Sequence, residues 1–229
     1  MTALLRPRLP WLLCLAAGVG VLLASAAFGR VPGLVPCGPA AELGAIIAFE
    51  LARSASEVAA LFGAEPCRSA LIAAQRQAVW VDALAFIPAY ALFLGSAAWG
   101  LRKDRRIAPL TIAMVAAAAV LDQIEGRLLW SILDAMPGTE ATLLPLYGVV
   151  RVKFALLSLA AFALAALLLR RGRIATIAAV VVAGGALLSF ATLVVNAHHP
   201  LLMEGHRISW TALLIVAGWF AVRPPGEAR

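Results

Sequence analysis

Five long apolar stretches, followed by a shorter sixth, constrain this chain of 229 residues more than any other feature. They cover about residues 11–28, 79–101, 107–130, 149–169, 174–195 and 208–222. Because roughly 20 residues of α-helix cross the hydrocarbon core of a membrane, the pattern predicts six transmembrane helices. The sequence is 63% hydrophobic and 14% charged. We therefore expect an all-α polytopic membrane bundle that forms a single domain over residues 1–229, with an outer loop at about 30–77.

The basic residues occupy alternate loops between these stretches. If both termini are cytoplasmic, the cytoplasmic segments hold 11 basic residues and two acidic ones, against eight basic and ten acidic residues on the other side. The cytoplasmic basic residues would be Arg6, Arg8, Arg102, Lys103, Arg105, Arg106, Arg170, Arg171, Arg173, Arg223 and Arg229. This distribution is typical of a multi-pass protein of the bacterial cytoplasmic membrane. It also explains the net charge of +7 without nucleic acid as a partner.

The first stretch has two interpretations. Arg6 and Arg8, the apolar run after them and Ala24-Ser25-Ala26 resemble a secretory signal peptide with a small-residue cleavage site. However, apolar residues continue through Phe28, which gives the stretch enough length to span a membrane. We favour an uncleaved helix, and either interpretation leaves the following segment outside the cytoplasm.

The outer loop is predicted to contain an amphipathic helix. Pro39 suits its first turn and Gly63 suits its end. Charged residues would share one face of it, namely Glu50, Arg53 and Glu57. A second helix would begin near Pro66 and continue into the second span, where Pro88 should kink it.

The three cysteines differ in their surroundings. Cys14 lies in the first span and is most simply a small apolar residue. Cys37 and Cys67 flank the predicted amphipathic helix on the side that is oxidising in a bacterial periplasm. We expect a disulfide between them; two free thiols or a pair of metal ligands are the alternatives, and no CxxC spacing supports the metal.

Ionisable residues within the apolar stretches mark a candidate site. Asp122 lies roughly 22 Å along the third helix from its cytoplasmic end, and Lys153 roughly 24 Å along the fourth. Residues expected at a similar depth are Asp82, Glu125, Arg151, Asn196 and His199. Since charged groups in a bundle avoid acyl chains and pair with each other, these side chains predict a polar cluster near the outer leaflet. Arg151 and Lys153 point in roughly opposite directions, so only one of them can face the bundle interior.

Metal binding and catalytic motifs have little support in the sequence. His198, His199 and His206 are weak metal candidates, because their spacing does not give two ligands on one helical face. There is no GxSxG, Walker A, GxGxxG or HExxH pattern, and no cofactor is favoured. The Gly184-Gly185 pair is typical of close helix packing in a membrane.

Several short motifs resemble a loose group of small bacterial multi-pass membrane proteins to which no activity is assigned. They are Phe49-Glu50-Leu51-Ala52, Asp82 with Phe86-Ile87-Pro88-Ala89-Tyr90, Leu121-Asp122-Gln123-Ile124-Glu125 and Lys153-Phe154. Gly126 departs from the group, in which an asparagine often follows the Asp-x-x-Glu pattern. The resemblance implies that Glu50 belongs with Asp82, Asp122, Glu125 and Lys153, and it adds no reaction.

Three functions remain open from the sequence. The polar cluster could bind a ligand or a lipid headgroup, with membrane lipids as the natural partners. Alternatively, the cluster could be a structural ion-pair network in an accessory subunit that packs against another membrane protein or a second copy of this chain. Transport of a small solute or ion is the third possibility, but it needs polar residues through the whole membrane thickness.

Overall fold

The computed structural model describes residues 8–38, 43–104, 106–169 and 171–225, and within these ranges the chain is helical with no β-strand. The helices are α1 (Leu9–Phe28), α2 (Gly44–Glu50), α3 (Ala55–Phe62), α4 (Cys67–Val81), α5 (Ile87–Gly100), α6 (Ile107–Asp134), α7 (Glu140–Leu168), α8 (Arg173–Asn196) and α9 (Leu201–Val222). A π-helical segment, Asp82–Phe86, joins α4 to α5. The all-α fold is confirmed.

Five helices are long and apolar enough to cross a membrane, namely Leu9–Phe28, Cys67–Gly100, Ile107–Asp134, Glu140–Leu168 and Arg173–Asn196. The chain is therefore a multi-pass membrane protein. The predicted sixth span lies in α9, a helix of 22 residues that is not among these five. Its first turns carry Glu204, His206 and Arg207, which make it more polar than the others.

The long helices form a closed ring in which each contacts its neighbours. The order around the ring is α1, α5, α6, α7, α8 and α9, and α9 returns to α1. The short helices α2 and α3 lie at the end of the bundle that also holds Cys37 and Cys67, which we call the disulfide end. Cys37 and Cys67 are joined by a disulfide and Cys14 is a buried free thiol, as predicted.

The prediction of one continuous amphipathic helix in the outer loop is wrong. Its predicted start at Pro39 lies outside the described residues, and the helix that follows ends at Glu50. A new helix then begins at Ala55, because the Ser54 side chain accepts a hydrogen bond from the Glu57 backbone N–H. The Glu57 carboxylate in turn accepts one from the Arg53 backbone N–H, at 2.7 Å. Because this capping starts a new helix, Glu50 and Glu57 lie on separate helices and do not share the face on which they were expected.

The helix from Pro66 continues into the membrane-spanning stretch, as expected, but its backbone changes pitch before Pro88. The Ile87 N–H bonds to the Asp82 carbonyl, five residues earlier. Proline lacks an N–H and disturbs the regular ladder of an α-helix, so a local π-helical turn is one way to accommodate it. The π-helical segment places Asp82 and Phe86 beside the bundle interior.

The helices α8 and α9 approach each other most closely at two glycines. A Cβ atom added at Gly185 would lie 2.5 Å from the Gly205 carbonyl oxygen. Two hydroxyls bridge the helices nearby, since Ser189 donates to the Leu202 carbonyl at 2.7 Å and Ser209 donates to the Val182 carbonyl at 2.9 Å. Small residues and hydroxyl hydrogen bonds stabilise such contacts inside a membrane.

Gly185→Ala should therefore lower stability, by about 1–3 kcal/mol, because the added methyl group has no space between the two backbones. Gly184→Ala is the matched control, since a Cβ there meets nothing within 4 Å and alanine is the better helix former. Thermal unfolding of both variants in the same detergent measures the difference. Equal melting temperatures would show that α8 and α9 do not pack through Gly185.

Candidate functional site

The Lys153 ammonium lies at the centre of a buried ion-pair network. Its Nζ is 3.0 Å from Asp122 Oδ1, 2.6 Å from Glu125 Oε2 and 3.3 Å from Glu50 Oε2. The four residues, which we call the Lys153 cluster, are at most 6% exposed. The structure thus brings together four residues that the sequence placed at a common site.

The Lys153 cluster draws on three helices. Asp122 and Glu125 are one turn apart on α6 and share the face that packs against α7, which supplies Lys153. Glu50 is the last residue of α2, which reaches into the bundle from the disulfide end. The Gln75 side chain on α4 donates to the Ala45 carbonyl at 2.8 Å and fixes α2 there.

A fourth helix joins the network through a tyrosine. The Tyr90 hydroxyl on α5 donates a hydrogen bond of 2.9 Å to Asp122 Oδ2. Asp122 therefore binds Lys153 with one oxygen and Tyr90 with the other. A buried carboxylate that is satisfied on both oxygens has a fixed orientation, so it can position its partners.

Acidic groups outnumber basic ones in this network. One lysine faces three carboxyl groups, and burial away from water disfavours any charge that is not balanced. Burial is also the main reason why the pKa of Glu50 is raised, and the attraction of Lys153 only partly opposes it. Glu50 and Glu125 both approach the same ammonium group, with their oxygens 3.3 and 2.6 Å from Lys153 Nζ.

Beside the Lys153 cluster lies a cavity of about 300 Å³. Its wall is formed by α1, α2, the π-helical segment, α5, α6, α7 and α9, and most of the lining surface is apolar. Glu50, Asp122 and Lys153 form a polar side of the cavity together with Asp82, and further polar residues line it on α1 and α9. A cavity of this size with a few polar groups is typical of a site for a small ligand.

Asp82 differs from the acids of the Lys153 cluster. It is half-buried in the cavity wall. Among the residues that the structure describes, none makes a hydrogen bond or a close ion pair with its carboxylate, although Asp122 and Lys153 are near enough to act on it electrostatically. Asp82 is thus a carboxyl group that faces the cavity with its hydrogen-bonding capacity unused.

His206 on α9 also faces the cavity. It is 4% exposed, and neither of its ring nitrogens has a hydrogen-bond partner. Its ring stacks on Phe154, with the centroids 5.6 Å apart, and lies 6.0 Å from Trp210. The Trp210 indole N–H is likewise unpartnered and lines the cavity. Buried polar groups are nearly always hydrogen-bonded, so two such groups on one cavity wall suggest a missing partner.

The remaining predicted residues lie outside the Lys153 cluster. Arg151 points away from it and donates to the Tyr147 hydroxyl at 2.7 Å. Asn196 and His199 are exposed and bond only to backbone groups of their own turn. These residues share the depth of the Lys153 cluster, but their helix faces direct them elsewhere.

The three histidines are also separated. His198 bonds to the Leu51 carbonyl at 3.1 Å, whereas His206 lies in the cavity. Within the described part of the chain, no three His, Cys, Asp or Glu side chains are grouped so that they could hold a metal ion. His206 therefore lacks the additional ligands that a metal site would need.

The cavity reaches the surface between α1 and α9. Four of its lining residues are exposed, and they are Leu22 and Ser25 on α1 and Arg207 and Thr211 on α9. Closer to the opposite end of the bundle, α1 and α9 are in close contact. A Cβ atom added at Gly18 would lie 2.6 Å from the Leu214 side chain. The opening is thus lateral, on the side of the bundle formed by α1 and α9.

Two site residues were not singled out from the sequence. Tyr90 and Trp210 lie in apolar stretches where an aromatic residue ordinarily indicates packing or an interface. Tyr90 follows Phe86 at a spacing of four, and Trp210 follows His206 at the same spacing, so each pair shares a helix face. The two faces meet only across the bundle interior, where the ring centroids of Tyr90 and Trp210 are 5.7 Å apart.

No protein-family model, curated protein or solved structure matches this chain.

Replacing Lys153 by methionine should destabilise the bundle by about 3–5 kcal/mol, since three buried carboxyl groups would lose their cation. Arg151→Met is the matched control on the same helix. Its side chain is only half-buried and its hydroxyl hydrogen bond contributes about 1 kcal/mol. Thermal or denaturant unfolding in detergent compares the two. Similar losses in both variants would contradict a central role for Lys153.

Proposed function

We propose that this protein of the bacterial cytoplasmic membrane binds a small amphipathic, lipid-like ligand in the cavity beside the Lys153 cluster. Both termini are cytoplasmic in this proposal, α9 is the sixth span, and the cavity lies in the outer half of the membrane. The charge distribution supports the orientation, because the segments assigned to the cytoplasm, loops and termini together, carry 11 of the 19 Lys and Arg residues. The disulfide supports it too, since such bonds form in the periplasm.

The unpartnered ring of His206 is the observation that carries the ligand proposal. A network that served only to hold helices together would leave no buried polar group without a partner on the cavity wall. In the Lys153 cluster each carboxyl group lies within ion-pair distance of Lys153 Nζ, whereas the ring nitrogens of His206 and Trp210 have no hydrogen-bond partner. A ligand with a polar group at this wall would satisfy them.

The shape of the cavity supports an amphipathic ligand. A volume of about 300 Å³ is at the small end of ligand pockets, so it holds a polar group and part of one chain rather than a whole two-chain lipid. The lateral opening between α1 and α9 faces the acyl region in the proposed orientation. An apolar chain can leave the cavity there without entering water.

An accessory role is the second candidate. It is favoured by the internal pairing of the Lys153 cluster and by an apolar groove of about 1040 Å³ between α8 and α9, against which another membrane helix could pack. Transport has weaker support, since the polar cluster is confined to the outer half. In the inner half, the Thr111 hydroxyl bonds to its own helix at the Ile107 carbonyl.

The orientation predicts the labelling of two exposed positions. A cysteine in place of Glu140 should react with a membrane-impermeant maleimide in intact spheroplasts of a bacterial host, and one in place of Lys103 should not. Both native residues are exposed, so access to the reagent depends on the side of the membrane. Lys103→Cys should react once the membrane is permeabilised. Labelling of Lys103→Cys before permeabilisation would reverse the topology.

Ligand binding predicts the outcome of native mass spectrometry on the protein released from membranes. Wild type should retain an amphiphile. A variant in which Lys153→Met is combined with Glu50→Gln, Asp122→Asn and Glu125→Gln should lose it while remaining folded, since replacing the whole ionic group leaves no buried charge without a partner. The control replaces another ion pair, that of Arg76 with Asp134, which lies at the exposed surface with 2.6 Å between the charged atoms. Equal retention in wild type and in the variant of the Lys153 cluster would favour the accessory role.

A further inference from the structure

Charge inside the cavity is strongly asymmetric. Three acidic side chains face it, those of Glu50, Asp82 and Asp122, against the single base Lys153. At the mouth, Glu204 and Arg207 pair with each other at 2.7 Å and therefore add no free charge. The polar side of the cavity thus favours positive charge and hydrogen-bond donors over negative charge.

Lys153 has no capacity left for an anionic ligand. An ammonium group has three N–H donors, and three carboxyl groups lie within 3.3 Å of Lys153 Nζ. A phosphate or carboxylate entering the cavity would have to displace one of them. It would also meet the carboxyl oxygens of Asp82, which are acceptors like its own.

Two hydrogen-bond acceptors in the cavity wall have no partner among the described residues. Asp82 receives no hydrogen bond from any described residue, and a neutral His206 ring offers one nitrogen as an acceptor. They belong to different elements, the π-helical segment and α9, and both face the cavity. The cavity thus offers a donor group one acceptor on each of these two elements.

Aromatic rings complete the surroundings. Phe86, Tyr90 and Phe93 lie 6.2, 5.7 and 6.4 Å from Trp210, measured between ring centroids, and all four line the cavity. The faces of aromatic rings attract cations, and several rings around one space are a known arrangement for binding ammonium groups. These rings hold no cation of the described chain.

We propose that the cavity selects an amphiphile whose polar group is a hydrogen-bond-donating cation, such as a primary ammonium. Asp82 acts as its counter-ion, His206 as a second acceptor, and the four rings surround the remaining charge. The apolar chain of the amphiphile extends through the opening between α1 and α9. This inference rests on the proposed function, because it names the class of ligand for the same cavity.

The test uses four probes with the same chain: octylammonium, octyltrimethylammonium, octanol and octanoate. Each is titrated against the full-length protein in nanodiscs of a zwitterionic lipid, and the rise in melting temperature gives its affinity. Octylammonium should bind at least about tenfold more tightly than octanol, as expected for one charge-assisted hydrogen bond. Octanoate should bind most weakly.

Asp82→Asn should remove this preference by weakening octylammonium binding about tenfold while octanol binding stays the same. Asparagine has the same shape, so folding is preserved. The control is Asp134→Asn, an acid on α6 whose carboxylate pairs with Arg76 outside the cavity, and it should keep the preference. If Asp82→Asn does not fold, the ranking of the four probes on wild type decides alone.

The outcomes separate the two proposals. If none of the four probes stabilises wild type, the cavity does not bind amphiphiles and the proposed function fails. If octanol or octanoate binds as tightly as octylammonium, the cavity binds amphiphiles but the inference about cationic ligands is overturned. If octyltrimethylammonium binds as tightly as octylammonium, the aromatic rings alone account for the binding of the cation, and the roles of Asp82 and His206 as acceptors are wrong.

Discussion

A lysine ammonium held by three carboxyl groups is the interaction on which this bundle depends. Each of the four groups would cost a few kcal/mol if it faced acyl chains alone, so their mutual pairing determines which faces of α6 and α7 point inward. Through Glu50 and Tyr90 the same network also fixes α2 and α5. Four helices thus meet around Lys153, and the cavity lies where their packing leaves space.

The Lys153 cluster and the cavity wall differ in whether their polar groups have partners. In the Lys153 cluster every donor of the lysine has a carboxyl partner, which is the condition under which buried charge is tolerated. In the neighbouring cavity wall, the side chains of Asp82 and His206 have no hydrogen-bond partner among the described residues. A rigid, satisfied network next to unsatisfied groups is a common arrangement in binding sites, because the first orients the walls and the second contacts the ligand.

The sequence predicted the parts of this structure that follow from lipid and from helix period. Long apolar stretches gave the spans, and the spacing of Asp122 and Glu125 placed both carboxyls on one face. The spacing of Arg151 and Lys153 showed that only one of these two bases could face the bundle interior. Depth alone was a weaker guide, since Asn196 and His199 lie near that depth but face outward. Glu50 could be grouped with Lys153 only by resemblance. The periodicity predicted one helix face for Glu50 and Glu57, and it did not show that Ser54 caps a new helix between them. The role of His206 depends on how α9 packs against α5 and α7, which no local pattern encodes.

One consequence concerns the way the chain enters the membrane. Asp122, Glu125 and Lys153 lie on α6 and α7, which are consecutive helices joined by the short segment 135–139. They can therefore enter the bilayer as a hairpin in which each charge already has a partner, so neither helix has to cross the hydrocarbon with an isolated ion. Glu50 is synthesised earlier but belongs to a segment outside the five apolar spans. Glu50 adds a third carboxyl group to Lys153 from the disulfide end, so the Lys153 cluster is complete only when that end has closed.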